Sequence, residues 1–285
     1  MGELALPDPL VTGDWLAEHL GDPRLVVLDC TVWLKVGASG AYEAISGRAD
    51  HSTCHIPGAG LADLTGDLCD ASSGLRFAVP APADFAMAMA QLGVDDSSTV
   101  VLYDQNRSMW AARVWWMLRW IGFDRAALLD GGLTAWIAEG RPTESGPVER
   151  TAARLTADPR PRLIADRDEV FAAIGDGGTC IIDALAEAQY RGTQTTYPRP
   201  GHIPGASNAP AADLVDPTTG RFLPLAALEP RFPAERSGRV ITYCGGGIAA
   251  SSDAFVLTRL GFEDVAVYTA SLQEWAADPA NPLEV

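Results

Sequence analysis

Five landmarks recur in the same order in the two halves of this 285-residue chain. The apolar run Leu25-Val26-Val27-Leu28-Asp29 returns as Thr179-Cys180-Ile181-Ile182-Asp183, and His55-Ile56-Pro57-Gly58-Ala59 returns unchanged as His202-Ile203-Pro204-Gly205-Ala206. Val100-Val101-Leu102-Tyr103-Asp104 returns as Val240-Ile241-Thr242-Tyr243-Cys244, and Trp120-Ile121-Gly122-Phe123 as Arg259-Leu260-Gly261-Phe262. The run before Asp130, followed by Leu133 and Trp136, returns as Val265-Ala266-Val267-Tyr268 followed by Leu272 and Trp275. Matched landmarks at one large spacing mean that a structural unit has been duplicated. Whatever one half folds into, the other must be able to fold into as well.

Short branched-apolar runs that end in a polar residue suit buried parallel strands whose C-terminal ends face a site. Between them, Thr12 to Leu20, Pro82 to Leu92, Trp110 to Trp120 and Leu133 to Glu139 read as helices, with Trp115, Trp116, Met117 and Leu118 as core. The stretch after Cys30, through Arg48, Asp50, His51 and Cys54, reads as loop-rich. Strand–helix alternation predicts an α/β fold, a mostly parallel sheet flanked by helices in each half. Prolines and charges from Arg141 onward suggest a linker, giving domains at 1–140 and 163–285 joined by 141–162.

The difference between the copies carries the chemistry. Equivalent strand ends hold Asp104 in the first half and Cys244 in the second. Cys244 is followed by Gly245-Gly246-Gly247-Ile248-Ala249, a turn whose backbone N–H groups can point inward, and then by a helix start with its positive dipole end. A cysteine there is expected to be an exposed nucleophile, with the amides stabilising a charged sulfur species. The first copy's turn, Asp104 to Trp110, has no glycine and is expected to form no such nest. One half therefore reads as silent and the other as active. His55, held in a Pro-Gly turn, is read first as a turn-stabilising residue and second as a proton-transfer group.

Composition excludes several classes. A net charge of −16 argues against nucleic acid and anionic membranes as partners. No run approaches the roughly 18 apolar residues of a membrane span. The five cysteines are widely spaced with no Cys-x-x-Cys pair, which disfavours zinc ribbons and thioredoxin-like sites. Their odd number, with no basic-then-apolar leader pattern, predicts a reducing, cytoplasmic setting.

The two His-Ile-Pro-Gly-Ala segments, Arg113-Val114-Trp115-Trp116-Met117, Leu129-Asp130-Gly131-Gly132, Tyr190-Arg191-Gly192-Thr193 and the Cys244 loop together resemble the two-domain rhodanese family, the thiosulfate and 3-mercaptopyruvate sulfurtransferases. The resemblance implies two tandem rhodanese-like domains, with the active loop in the second facing a cleft between them. It implies that Cys244 cycles between thiolate and persulfide with no metal and no organic cofactor, taking sulfur from a small-molecule donor and passing it to cyanide or a thiol. Gly245, Gly246, Gly247, Ile248 and Ala249 become the substrate- and persulfide-binding loop, and His55, Arg199, Arg191, Gln189 and Asp183 become candidate cleft residues.

The sequence departs from that family in places. Thiosulfate-specific members carry basic side chains where this chain has Gly245 and Gly246. Mercaptopyruvate enzymes have a Cys-Gly-Ser-Gly loop, so Gly246 replaces a serine thought to work with a histidine, matched here by His55, and an aspartate, for which Glu43 and Asp50 are nearby. Of two family arginines that hold the substrate's anionic group, the first falls at Gln189, losing a charge, and the second at Arg199, with Arg191 adjacent. These losses leave room for a second reading, a persulfide carrier or redox-sensing protein that hands sulfur to a protein partner. A phosphatase of the Cys-x5-Arg type is disfavoured because Ala250 stands where the phosphate-clasping arginine would be.

Overall fold

The computed structural model describes residues 4–36, 42–233 and 235–285. The chain forms two compact units, residues 1–71, 79–160 and 217–222 in unit 1, and 72–78, 161–216 and 223–285 in unit 2. Each unit therefore takes most of its residues from one half of the sequence and one short segment from the other. The expected linker is not a bare connection. Up to Arg160 it belongs to unit 1, where Glu144 pairs through its backbone with His55.

Unit 1 has strands β1 (Leu10–Val11), β2 (Leu25–Asp29), β3 (Val32–Val36), β4 (Tyr42–Ser46), β5 (Gly60–Leu61), β6 (Thr99–Tyr103) and β7 (Ala126–Leu129). Its helices are α1 (Gly13–His19), α2 (Arg48–Thr53), α3 (Pro82–Gln91), α4 (Met109–Trp120) and α5 (Gly132–Ala138). Unit 2 has β8 (Ile164–Ala165), β9 (Thr179–Asp183), β10 (Ser207–Asn208), β11 (Arg239–Tyr243) and β12 (Asp264–Tyr268), with α6 (Arg167–Ala173), α7 (Glu187–Tyr190), α8 (Leu225–Leu228), α9 (Ile248–Arg259) and α10 (Ser271–Trp275). The sheet orders are β1-β7-β6-β2-β5 and β8-β12-β11-β9-β10, every pairing parallel. These are one topology written twice. Unit 1 adds the antiparallel pair β3–β4 and the helix α2 in the stretch expected to be loop.

The central strands β2, β6 and β7 are buried at every position, which is why they read as continuous apolar runs rather than alternating ones. The duplicated landmarks explain themselves as matched tertiary bonds. The Tyr103 hydroxyl accepts from the Ile56 amide at 3.3 Å, and that of Tyr243 from Ile203 at 3.0 Å, so the tyrosine ending the middle strand anchors the Ile-Pro-Gly-Ala turn. The Trp136 and Trp275 indoles donate to the carbonyls of Pro142 and Pro282 at 2.7 and 2.9 Å, giving each large buried ring a partner for its polar edge.

Candidate functional site

The middle strand of each sheet, β6 or β11, delivers one residue to the start of the next helix. In unit 1 that residue is Asp104, 3% exposed. One of its carboxylate oxygens accepts from the amides of Asn106 and Ser108 at 2.6 and 2.9 Å, the other from Trp110 and Ala111 at 2.9 Å each. Four inward-pointing amides around one negative group are a nest. The expectation that this glycine-free turn forms none is overturned. Arg107 and Ser108 adopt φ values of 61° and 60°, supplying the left-handed turn that glycine was thought necessary for. The energetic cost of two such residues, about 1–2 kcal/mol each, is offset by the charge-assisted bonds they aim at the carboxylate.

In unit 2 the same position is Cys244. Its amide donates to the Ser271 hydroxyl at 3.1 Å, and its carbonyl accepts from the Leu272 amide at 3.0 Å. The Gly245 carbonyl accepts from the Gln273 amide at 3.0 Å. The start of α10 thus ties down the carbonyls of the first two loop residues. Behind the loop, the Thr242 and Ser251 hydroxyls donate to the carbonyls of Ala250 and Gly247 at 2.9 and 2.7 Å. Gly247 takes φ 80° and opens α9. Among the described residues, no protein group accepts from the amides of Gly245 through Ala249. Unit 1 fills its cradle with its own side chain; unit 2 keeps amides in hand beside a sulfur atom.

The thiol is less open than expected, since Cys244 is only 2% exposed. The two glycines after it show why: a Cβ on Gly245 would stand 1.5 Å from the Tyr197 hydroxyl, and one on Gly246 would stand 3.1 Å from the Gln273 side-chain amide. These neighbours pack directly on the loop backbone, so a serine at 246 would crowd Gln273. Three of the other thiols are disfavoured as nucleophiles. Burial pushes Cys30, Cys69 and Cys180 up, with carboxylates adding to the shift at Cys30 and Cys69.

The remaining candidates are engaged as follows. Asp183, at the end of β9 beside Tyr243, accepts from the Leu185 amide at 2.8 Å and is pushed up to about 6, chiefly by burial. Its twin Asp29 accepts from Thr31 and is also pushed up to about 6 by burial. A feature repeated in the unit without the cysteine serves the shared fold. Gln189 donates to the Thr196 hydroxyl at 3.0 Å, and Arg191 pairs with Glu187 at 2.8 Å. Arg199 donates to the carbonyls of Ala276, Trp275 and Asp278 at 3.1, 3.3 and 2.6 Å, closing the C-terminal end of α10. His55 belongs to unit 1, where its Nδ1 lies 2.7 Å from the His51 carbonyl, its ring stacks on His51, and its Nε2 is buried without a partner among the described residues. Asp50 accepts from the Trp33 indole at 2.7 Å, and Glu43 faces Lys35 across β3–β4. No group of His, Cys, Asp or Glu among the described residues is arranged to hold a metal ion, and no described helix is long and apolar enough to cross a membrane.

Sequence reading missed Ser271, Tyr197 and Gln273. Only Ser271 carried a signal: aligning the repeats sets it against Gly132, and both have φ 55°. A serine in a glycine's conformation is a strained position, offset here by its bonds to the Cys244 amide and the Tyr268 carbonyl. It also missed Asp253 on α9, fully buried, with neither carboxyl oxygen partnered among the described residues and its acid held well above the usual range by burial.

Known proteins share this fold and much of its sequence. The pattern of the rhodanese-like domain matches residues 12–139 and 166–278. The chain is 37% identical over 283 residues to a probable 3-mercaptopyruvate sulfurtransferase of Pseudomonas aeruginosa, covering 96% of this chain and 97% of that one. It is 32% identical over 287 residues to the sulfur carrier protein TtuD of Thermus thermophilus, covering 95% and 94%. The crystal structure of SseA, described as a 3-mercaptopyruvate sulfotransferase of Escherichia coli, superposes with a TM-score of 0.82 at 30% identity, covering 93% of this chain and 98% of that one.

Proposed function

Because the chain belongs to the rhodanese family, we propose that it is a sulfurtransferase in which Cys244 carries the sulfur as a persulfide. The observation that supports this reading best is the sister loop. Four amides hold the Asp104 carboxylate there, so this strand–turn–helix geometry stabilises a negative group at the strand end. With cysteine at that place, the amides of Gly245 to Ala249 serve a thiolate or a persulfide anion instead.

The Cys244 thiolate attacks the outer sulfur of a small anionic donor. With thiosulfate, the S–S bond breaks with its electron pair on the departing sulfite. With 3-mercaptopyruvate, the C–S bond breaks and the carbon leaves as the enolate of pyruvate, which takes a proton from water. Cyanide or a thiolate then attacks the terminal sulfur of Cys244–S–S⁻, or of its protonated form, and the cysteine leaves as thiolate. Each step is thiolate chemistry governed by nucleophile, leaving group and access. The loop's neutrality at Gly245 and Gly246 places the burden of stabilising the persulfide on backbone dipoles rather than side-chain charge.

Intact-mass measurement after incubation with thiosulfate or 3-mercaptopyruvate tests this directly. The wild type gains one sulfur and Cys244→Ser gains none. Equal gain in both, or none in either, refutes it. The similarity to a sulfur carrier favours a second reading, delivery of the same persulfide to a protein acceptor. Loading without turnover on cyanide or small thiols would select that reading.

A further inference from the structure

Gly245 is a glycine for room rather than for conformation. It takes no left-handed φ, and the matching position in unit 1 is Gln105, so the repeated turn does not demand a glycine there. The room is filled by Tyr197. A Cβ on Gly245 would stand 1.5 Å from the Tyr197 hydroxyl oxygen and 2.5 Å from the ring carbon that bears it. The phenol therefore lies on the loop at the residue next to the nucleophile, in the space that a side chain at 245 would take.

Tyr197 is held there from both sides along the chain. Its run has no helix or strand, yet Pro198 and Pro200 restrict their own backbone and that of Tyr197 and Arg199 before them. On one side, the Thr196 hydroxyl accepts from the Gln189 side chain. On the other, the Arg199 guanidinium donates to three carbonyls at the end of α10. The ring itself packs against the core of unit 2. Gln189 and Arg199, two of the candidate cleft residues, thus brace Tyr197. The flank at Gly246 is taken by Gln273, whose side chain accepts from the Arg76 amide at 3.0 Å and donates to the Arg76 carbonyl at 2.9 Å. Cys244, beside these two flanks, is 2% exposed.

We propose that Tyr197 selects by size what reaches the Cys244 sulfur, admitting small donors and acceptors and excluding bulky thiols. The inference rests on the sulfurtransferase reading of Cys244. An acceptor must bring its nucleophilic atom to the terminal sulfur of the persulfide, and access governs that step together with nucleophilicity. Cyanide needs little room around the reacting sulfur, whereas a tripeptide thiol needs the volume that the phenol occupies. Such a filled volume works by excluding the larger competitor rather than by attracting the smaller one.

Alkylation of Cys244 by iodoacetamide, and by an iodoacetamide carrying a fluorescein group, tests access without requiring sulfur transfer. Rates are read by mass at the peptide containing Cys244. Their ratio cancels any change in the reactivity of the thiol itself. In Tyr197→Ala the bulky reagent should gain about tenfold or more on the small one, and in Tyr197→Phe, which keeps the ring, the ratio should stay within about twofold of wild type. Gly245→Ala, which displaces the ring, should raise the ratio in the wild type and add nothing in Tyr197→Ala. With persulfide-loaded enzyme, kcat/KM for glutathione relative to cyanide should rise in Tyr197→Ala in parallel. An unchanged ratio in Tyr197→Ala, an equal rise in both alkylation rates, or an undiminished Gly245→Ala effect in that background overturns the proposal. No persulfide in the wild type with either donor refutes the sulfurtransferase reading and the acceptor selectivity with it, while the alkylation ratio still upholds or overturns the control of access by Tyr197.

Discussion

Ser271 offers the sharpest quantitative test of how the Cys244 loop is held. It is fully buried, has φ 55°, accepts from the Cys244 amide at 3.1 Å and donates to the Tyr268 carbonyl at 2.7 Å. Ser271→Ala keeps the left-handed backbone but strands a buried donor and a buried acceptor, at about 1–3 kcal/mol each; relaxation of the loop brings the expected loss to about 2–4 kcal/mol. Ser271→Gly loses the same bonds but relieves the strain of a Cβ in the left-handed region, about 1–2 kcal/mol, part of which returns as glycine's greater freedom in the unfolded chain. The glycine variant should therefore be about 1 kcal/mol more stable than the alanine variant. Both should load sulfur onto Cys244 more slowly than wild type, because the Cys244 backbone from which the cradle starts is no longer held. Urea unfolding gives the stabilities, and time-resolved intact mass gives the loading rate. An alanine variant within about 0.5 kcal/mol of wild type, or a glycine variant less stable than alanine, would refute the reasoning. A glycine variant that loads sulfur at the wild-type rate would show that the hydroxyl serves packing alone.

Two other outcomes are expected. Asp104→Ala removes the acceptor of four amides, three of them in buried bonds, and should cost about 3 kcal/mol or more; millimolar sulfate should raise its thermal midpoint and leave the wild type's unchanged, and absence of that rescue would mean that the nest does not select anions. Asp29 and Asp183, both pushed up to about 6 by burial from 3.8, bind an extra proton in the folded state between those values. Their contribution to stability is therefore full below pH 3.8 and is lost as pH rises through about 6, at about 1.4 kcal/mol per pH unit for each group at most. In urea unfolding at pH 5 and pH 7, the double variant Asp29→Asn, Asp183→Asn should show a smaller fall in stability across that interval than the wild type, and an identical fall would contradict the shifts.

The duplication, the α/β alternation and the position of Cys244 were legible in the sequence because they rest on local rules. Branched-apolar runs make buried strands, Trp110 to Trp120 has the length and apolar density of a packed helix, and a Gly-rich turn after a strand can expose amides. The nest around Asp104 was not legible. Whether Arg107 and Ser108 accept positive φ depends on a carboxylate that rewards it, and propensity alone counts only the cost. The burial of Cys244 was equally hidden. Nothing near residue 244 in sequence says that Tyr197 and Gln273 will lie on its two following glycines.

What the sequence alone determined is the inventory: two copies of one unit, and a cysteine where the other copy has a carboxylate. The tertiary structure decided the environment. It brought Ser271 to the Cys244 amide and Gln273 to both the Gly245 carbonyl and Arg76, and it gave each unit a segment from the opposite half of the chain. Periodicity and turn chemistry act over a few residues and can be read in order. A hydrogen bond between residues 76 and 273 depends on how two distant segments pack, and no local pattern in the chain encodes it.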